Sequence, residues 1–139
     1  MLREKQTAVV TTIRVGLILS VLLVVFGCTT TPTVQDITSA NYGDPPTNLE
    51  NTITAYLKDV LKDPDSLKDL RIGTPKRGWT RTNYGKDVLY GYWVGYSYNA
   101  KNSYGGYVGS KYHCAFFQNN YIRQTWSEGD CGLFARTVE

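Results

Sequence analysis

Apolar residues recur in three different rhythms along this chain. From Val15 to Gly27 they run almost without a polar interruption. At Leu49, Ile53, Tyr56, Leu57, Val60 and Leu61 they fall at helical spacing and make one apolar face, while Asn51, Thr54, Lys58 and Asp59 fall elsewhere. From residue 88 onward they alternate. Val88, Tyr90, Tyr92, Val94, Tyr96 and Tyr98 share one register, and Leu89, Gly91, Trp93, Gly95 and Ser97 share the other.

These rhythms predict one helix followed by strands. Thr47 and Glu50 form a T-x-x-E capping box at the helix start, and Asp63-Pro64 ends it, because the residue before proline avoids the α region. A short turn over Pro64–Leu67, capped by Asp63, should follow. Leu70 and Ile72 suggest a short strand closed by Gly73-Thr74-Pro75. Long strands are expected over Val88–Tyr98 and Tyr107–Phe117, the second with Val108, Tyr112, Cys114 and Phe116 in one register. Asn119-Asn120 should make a tight hairpin into Tyr121–Trp126, since Asn tolerates positive φ. A last strand is expected over Leu133–Val138. Short connections favour an antiparallel meander. The expectation is an α+β domain over residues 47–139: one N-terminal helix packed on a twisted antiparallel meander of four to five strands.

The first apolar run is not read as part of that domain. Its thirteen residues would span roughly 20 Å as a helix, short of the ~30 Å hydrocarbon core of a bilayer. Extending it backward would bury Arg14, at a cost. Arg3, Lys5 and Arg14 before it, the small Gly27 at its end and Cys28 directly after it make an export signal. The series resembles the lipobox signal of bacterial lipoproteins. The resemblance covers residues 1–28. It implies diacylglyceryl transfer to the Cys28 thiol, cleavage between Gly27 and Cys28, and acylation of the new amino terminus. Thr29, where an Asp would favour retention in the inner membrane of enteric bacteria, points to the outer membrane. Several acyl chains anchor stably where one does so only marginally. Residues 28–46, polar and bounded by a Thr-rich start and Gly43-Asp44-Pro45-Pro46, then read as a lipidated flexible tether, reaching at most roughly 60 Å.

Removing residues 1–27 leaves 112 residues with twelve basic and eleven acidic side chains. A net +1 gives no support to a nucleic-acid partner, which calls for a clustered basic face. Lys76, Arg77 and Arg81 read as a solvated loop. Two cysteines, Cys114 and Cys131, remain once Cys28 is lipidated, and in an oxidising compartment an even pair reads as one disulfide.

Little in the chain points to catalysis. His113, the one histidine, adjoins Cys114, but neighbours on a strand face opposite ways. A single histidine also argues against zinc, so neither metal nor cofactor is expected. Asp63, Asp65 and Asp69 cluster at a helix end, where Asp caps backbone donors. Eleven tyrosines stand out, seven of them between Tyr84 and Tyr107. Strands favour tyrosine, but so do interfaces, and a small domain that cannot bury both faces of such strands should expose some.

The segment Asn99–Gly109 resembles a stretch of small, largely uncharacterised bacterial envelope proteins, in which it follows a helix ending in an Asp-Pro-Asp-Ser-like turn, here Asp63–Ser66. That resemblance implies a shared fold and carries no catalytic role. Lys101, Tyr104 and Tyr107 are the candidate partner-binding residues of this segment. The expected function is that of a non-enzymatic binding or accessory component of an envelope complex, facing the periplasm. Its partner would be an envelope protein, or peptidoglycan or lipopolysaccharide. The alternative is a phage- or plasmid-encoded exclusion or immunity lipoprotein that blocks an envelope target. A small hydrolase is a third, disfavoured reading.

Overall fold

The computed structural model describes residues 31–82, 87–128, 130–131 and 135–138. The lipobox and Cys28 lie outside these residues, as do 83–86 and 132–134. The fold is mostly β. Helices α1 (Val34–Ser39) and α2 (Leu49–Val60) and a 3-10 turn (Pro64–Ser66) precede a six-stranded antiparallel sheet. Its strands are β1 (Lys68–Ile72), β2 (Lys76–Arg81), β3 (Val88–Asn99), β4 (Lys111–Gln118), β5 (Tyr121–Ser127) and β6 (Arg136–Thr137).

The single N-terminal helix of the sequence reading is therefore replaced by two helices, at 34–39 and 49–60. Within the stretch read as a tether, α1 starts with a capping box in which Thr33 and Asp36 satisfy each other's donors. Tyr42 then packs against the core, and Tyr92 Oη donates to Gly43 O at 3.2 Å. The Thr47–Glu50 box does not form. Asn48, at φ 53°, is the N-cap of α2, and Thr47 N donates instead to Asn120 Oδ1 at 2.7 Å. Asn120 thus serves two ends at once. It holds positive φ in the Asn119-Asn120 hairpin, as expected of that pair, and anchors the entry to α2.

The sheet is not a simple meander. Its order is β5-β4-β3-β2-β6, and β1 also pairs with β3. The first half of β3 lies beside β2 and the second half beside β1, the jog falling at residues 73–75. Lys76–Arg81, read as a solvated loop, is thus a strand between β3 and β6. Three cations among its six residues hide the alternation, yet Thr80 is buried. The strand expected from Tyr107 begins only at Lys111. Gly109 adopts φ 89°, a left-handed conformation that ends extended pairing. The strand expected over 133–138 is described as the short β6.

Both sheet faces are covered, contrary to the expectation for so small a domain. Ile53 and Leu57 of α2 pack on Tyr92, Val94, Tyr96, Ala115 and Phe117. On the opposite face Trp93 meets Phe116 and Trp126 with ring centroids 5.1 and 4.9 Å apart, beside Cys114 and Cys131. Gln124 of β5 bonds Thr80 Oγ1 at 3.2 Å and Arg81 O at 3.0 Å on β2, with β4 and β3 lying between the two strands in the sheet order. Those bonds require a curled sheet, concave around Trp93. A bulge at Phe116–Phe117 in the β4–β5 ladder adds local twist. Gly91 and Gly95 admit the Phe116 and Tyr112 rings over β3, where any Cβ would collide. Tyr92 and Tyr96 are buried, so the alternating strand tyrosines form no outward stripe.

Candidate functional site

The loop between β3 and β4 carries all three residues singled out as partner-binding. Lys101 and Tyr107 face each other across an isolated antiparallel bridge. Inside it, Asn102 organises the tip. Its backbone N–H donates to Gly106 O at 2.8 Å, and its Oδ1 accepts from Tyr104 N at 2.9 Å and Gly106 N at 3.1 Å. Gly105 supplies the left-handed φ of 80° that closes the turn. Tyr104 stands at this tip 96% exposed, whereas Tyr107 is 45% exposed.

The base of the loop is tied to the end of α2. Lys101 N donates to Ser66 Oγ at 3.0 Å, and Ser66 Oγ in turn donates to Asp63 O at 2.7 Å. Lys101 Nζ lies 3.5 Å from Asp63 Oδ2, and Lys62 Nζ donates to Ser103 Oγ at 2.9 Å. Lys68 Nζ stands 3.6 Å above the Tyr107 ring, a cation–π contact. Asp63 does not cap the 3-10 turn with its side chain; its carbonyl accepts from Ser66 N instead. Lys101 and Tyr107 therefore hold the loop together, and Tyr104 is the residue left to contact something else.

Between the loop, the end of α2 and β4 lies an open cleft of about 170 Å³. Leu61, Ala100 and Val108 give it apolar walls, and Lys101, Lys111 and His113 bring cationic or polar groups to it. His113 stacks on Tyr98 and Tyr96 at 5.0 and 5.6 Å between centroids. Burial and then the Lys111 charge hold the imidazole below its ordinary pKa, with Glu128 opposing them. Burial likewise pushes the Tyr98 phenol up. The neutral ring is thus the favoured state of His113, and it packs as an aromatic surface.

Cys114 and Cys131 form a disulfide with Cα atoms 5.8 Å apart. Both cysteines are buried, so the bond belongs to the core under Trp93. His113 points to the helix side of the sheet with Tyr96 and Ala115, and Cys114 to the other. Among the described residues no group of three or more His, Cys, Asp or Glu is placed to hold a metal ion. No helix among them is long and apolar enough to cross a membrane.

Sequence reasoning missed Lys62, Lys68 and Lys111, which reach the loop region from the bend after α2, from β1 and from β4. Their positions along the chain share no spacing, and only the fold gathers them. The Asp63–Ser66 turn was visible as a companion of the Asn99–Gly109 segment, but its contact with Lys101 was not. Comparison of the chain with protein-family models, with curated proteins and with solved structures finds no match.

Proposed function

We propose that this chain is a lipoprotein anchored in the outer membrane through Cys28, and that its domain serves in the periplasm as a non-enzymatic binding component of an envelope complex. The address rests on the basic, apolar and Gly27-Cys28 series. The binding role rests on one observation: Tyr104 is 96% exposed on a loop held by the Asn102 turn and the Ser66 and Asp63 contacts. A large aromatic ring on a pre-ordered loop loses little entropy on binding, so its burial by a partner yields net affinity. An envelope protein is the partner of this reading.

Two experiments test the two halves separately. Cys28→Ser should leave an unprocessed precursor without acyl label; normal maturation of that variant overturns the anchor. A photo-crosslinking residue at 104 should give a discrete adduct in intact cells. The same residue at 121, exposed on the hairpin after β4, should give none. Identical products at both positions, or none at 104, overturn the binding role.

A further inference from the structure

We infer that the cleft between the end of α2 and β4 is a binding site for a phosphate monoester carried on a small polar body, such as a sugar or a lipid headgroup. The site is distinct from the Tyr104 tip and goes beyond the protein-binding role proposed above.

Charge and shape both support this assignment. Lys101, Lys111 and His113 reach the cleft from the loop base and from β4. Lys111 has no carboxylate partner among the described residues, and its charge is felt by His113. Lys101 is paired with Asp63 at 3.5 Å, with the two side chains 39% and 45% exposed, and its ammonium lies 5.9 Å from the Tyr107 ring centroid. An exposed pair of this kind contributes about 0–1 kcal/mol, so an entering anion can displace the carboxylate. Two ammonium groups match the charge of a phosphate monoester, roughly −1.5 to −2 near neutrality, and its three acceptor oxygens. A carboxylate would leave one ammonium unmatched.

The remaining walls suit the body that carries the phosphate. Leu61 and Val108 offer apolar surface, and Tyr98 stacked on His113 offers a ring face on which the C–H side of a sugar or glycerol can rest. A cleft of about 170 Å³ is far above the ~10–15 Å³ that admits one water. It has room for several non-hydrogen atoms beyond the phosphate. The fold keeps the cleft formed: Lys101 N is fixed by buried Ser66, and Lys111 pairs with Tyr98 across β3 and β4.

The test is a titration of the full chain in nonionic detergent, followed by amide resonances. The probes are glucose 1-phosphate, glucose, and water-soluble dihexanoyl phosphatidic acid. At least one phosphate-bearing probe should shift resonances around residues 98–113, and glucose should not. Binding of glucose 1-phosphate alone assigns a free sugar phosphate, and binding of the phosphatidic acid alone assigns a headgroup. Binding of both assigns the shared phosphate monoester. Lys111→Gln should weaken binding roughly tenfold, the equivalent of ~1.4 kcal/mol, through loss of one charge-assisted contact. Lys58→Gln, on the exposed side of α2, should leave binding unchanged. Absence of binding by both phosphate probes, equal binding of glucose, or full affinity in Lys111→Gln overturns the inference. Lys111 lies outside the Lys101–Tyr107 bridge, so this result and the crosslinking result at 104 stand or fall independently.

Discussion

Ser66 Oγ accepts the backbone N–H of Lys101 at 3.0 Å, joining the turn after α2 to the start of the β3–β4 loop across 35 residues of sequence. Ser66 is 3% exposed, so its hydroxyl lies away from bulk water, and the bond itself is part-buried. It makes the Asp63–Ser66 turn and the Asn99–Gly109 segment one structural unit. The same residue pair region carries the Asp63–Lys101 ion pair, whose worth is small by comparison because it is exposed.

Ser66→Ala should destabilise the domain by about 0.5–1.5 kcal/mol, the net contribution of a part-buried hydrogen bond. Amide exchange at Lys101 should accelerate with it. Denaturant unfolding and hydrogen exchange measure the two effects. Wild-type protection at Lys101 in the variant would show that the bond does not hold the loop.

Loss of the Cys114–Cys131 bond should cost on the order of 3 kcal/mol in the chain-entropy view, since the bond closes a loop with a sequence separation of 17. Cys114→Ala with Cys131→Ala, compared with wild type by urea unfolding, gives the value. Trp93 fluorescence should report loosening of the same cluster, because both cysteines pack against it. Equal midpoints with and without the bond would contradict its structural role.

Stability should fall on acidification through His113. The unfolded imidazole titrates near ~6.5, and burial beside Lys111 holds the folded one lower. Between those two values the unfolded state binds more protons, so stability declines as pH drops through the window and levels off below the folded value. His113→Gln should remove that part of the decline. Melting curves of both proteins from about pH 7 to about pH 5 decide the matter, and parallel profiles would refute it.

Tyr104→Ala and Phe116→Ala should separate binding from folding. Tyr104 is 96% exposed, so its truncation should change stability by no more than about 0.5 kcal/mol. Phe116 is fully buried against Trp93, and its truncation should cost about 3–5 kcal/mol. In the binding reading, Tyr104→Ala should weaken partner capture by ~1–2 kcal/mol. Retained capture with wild-type stability would move the contact surface away from the tip.

Local rules settled much of this fold from the sequence. The 3.6-residue spacing of Ile53 and Leu57 specified the buried face of α2, and Asn119-Asn120 specified the β4–β5 hairpin through backbone conformation alone. Alternation located β3, because a half-buried strand must repeat every second residue. Tertiary structure decided the rest. Lys76–Arg81 becomes a strand only because β3 offers a free edge and Trp93 needs the space above Gly78. Asn120 replaces Thr47's own capping partner because the hairpin places its amide at the entry to α2. The curl of the sheet buries Trp93 and Phe116 on the second face, which periodicity cannot express, and leaves Tyr104 at the loop tip outside together with Tyr112 and Tyr121 near the strand ends. The gathering of Lys62, Lys68, Lys101 and Lys111 around that loop likewise depends on distances between elements, and no spacing along the chain encodes those.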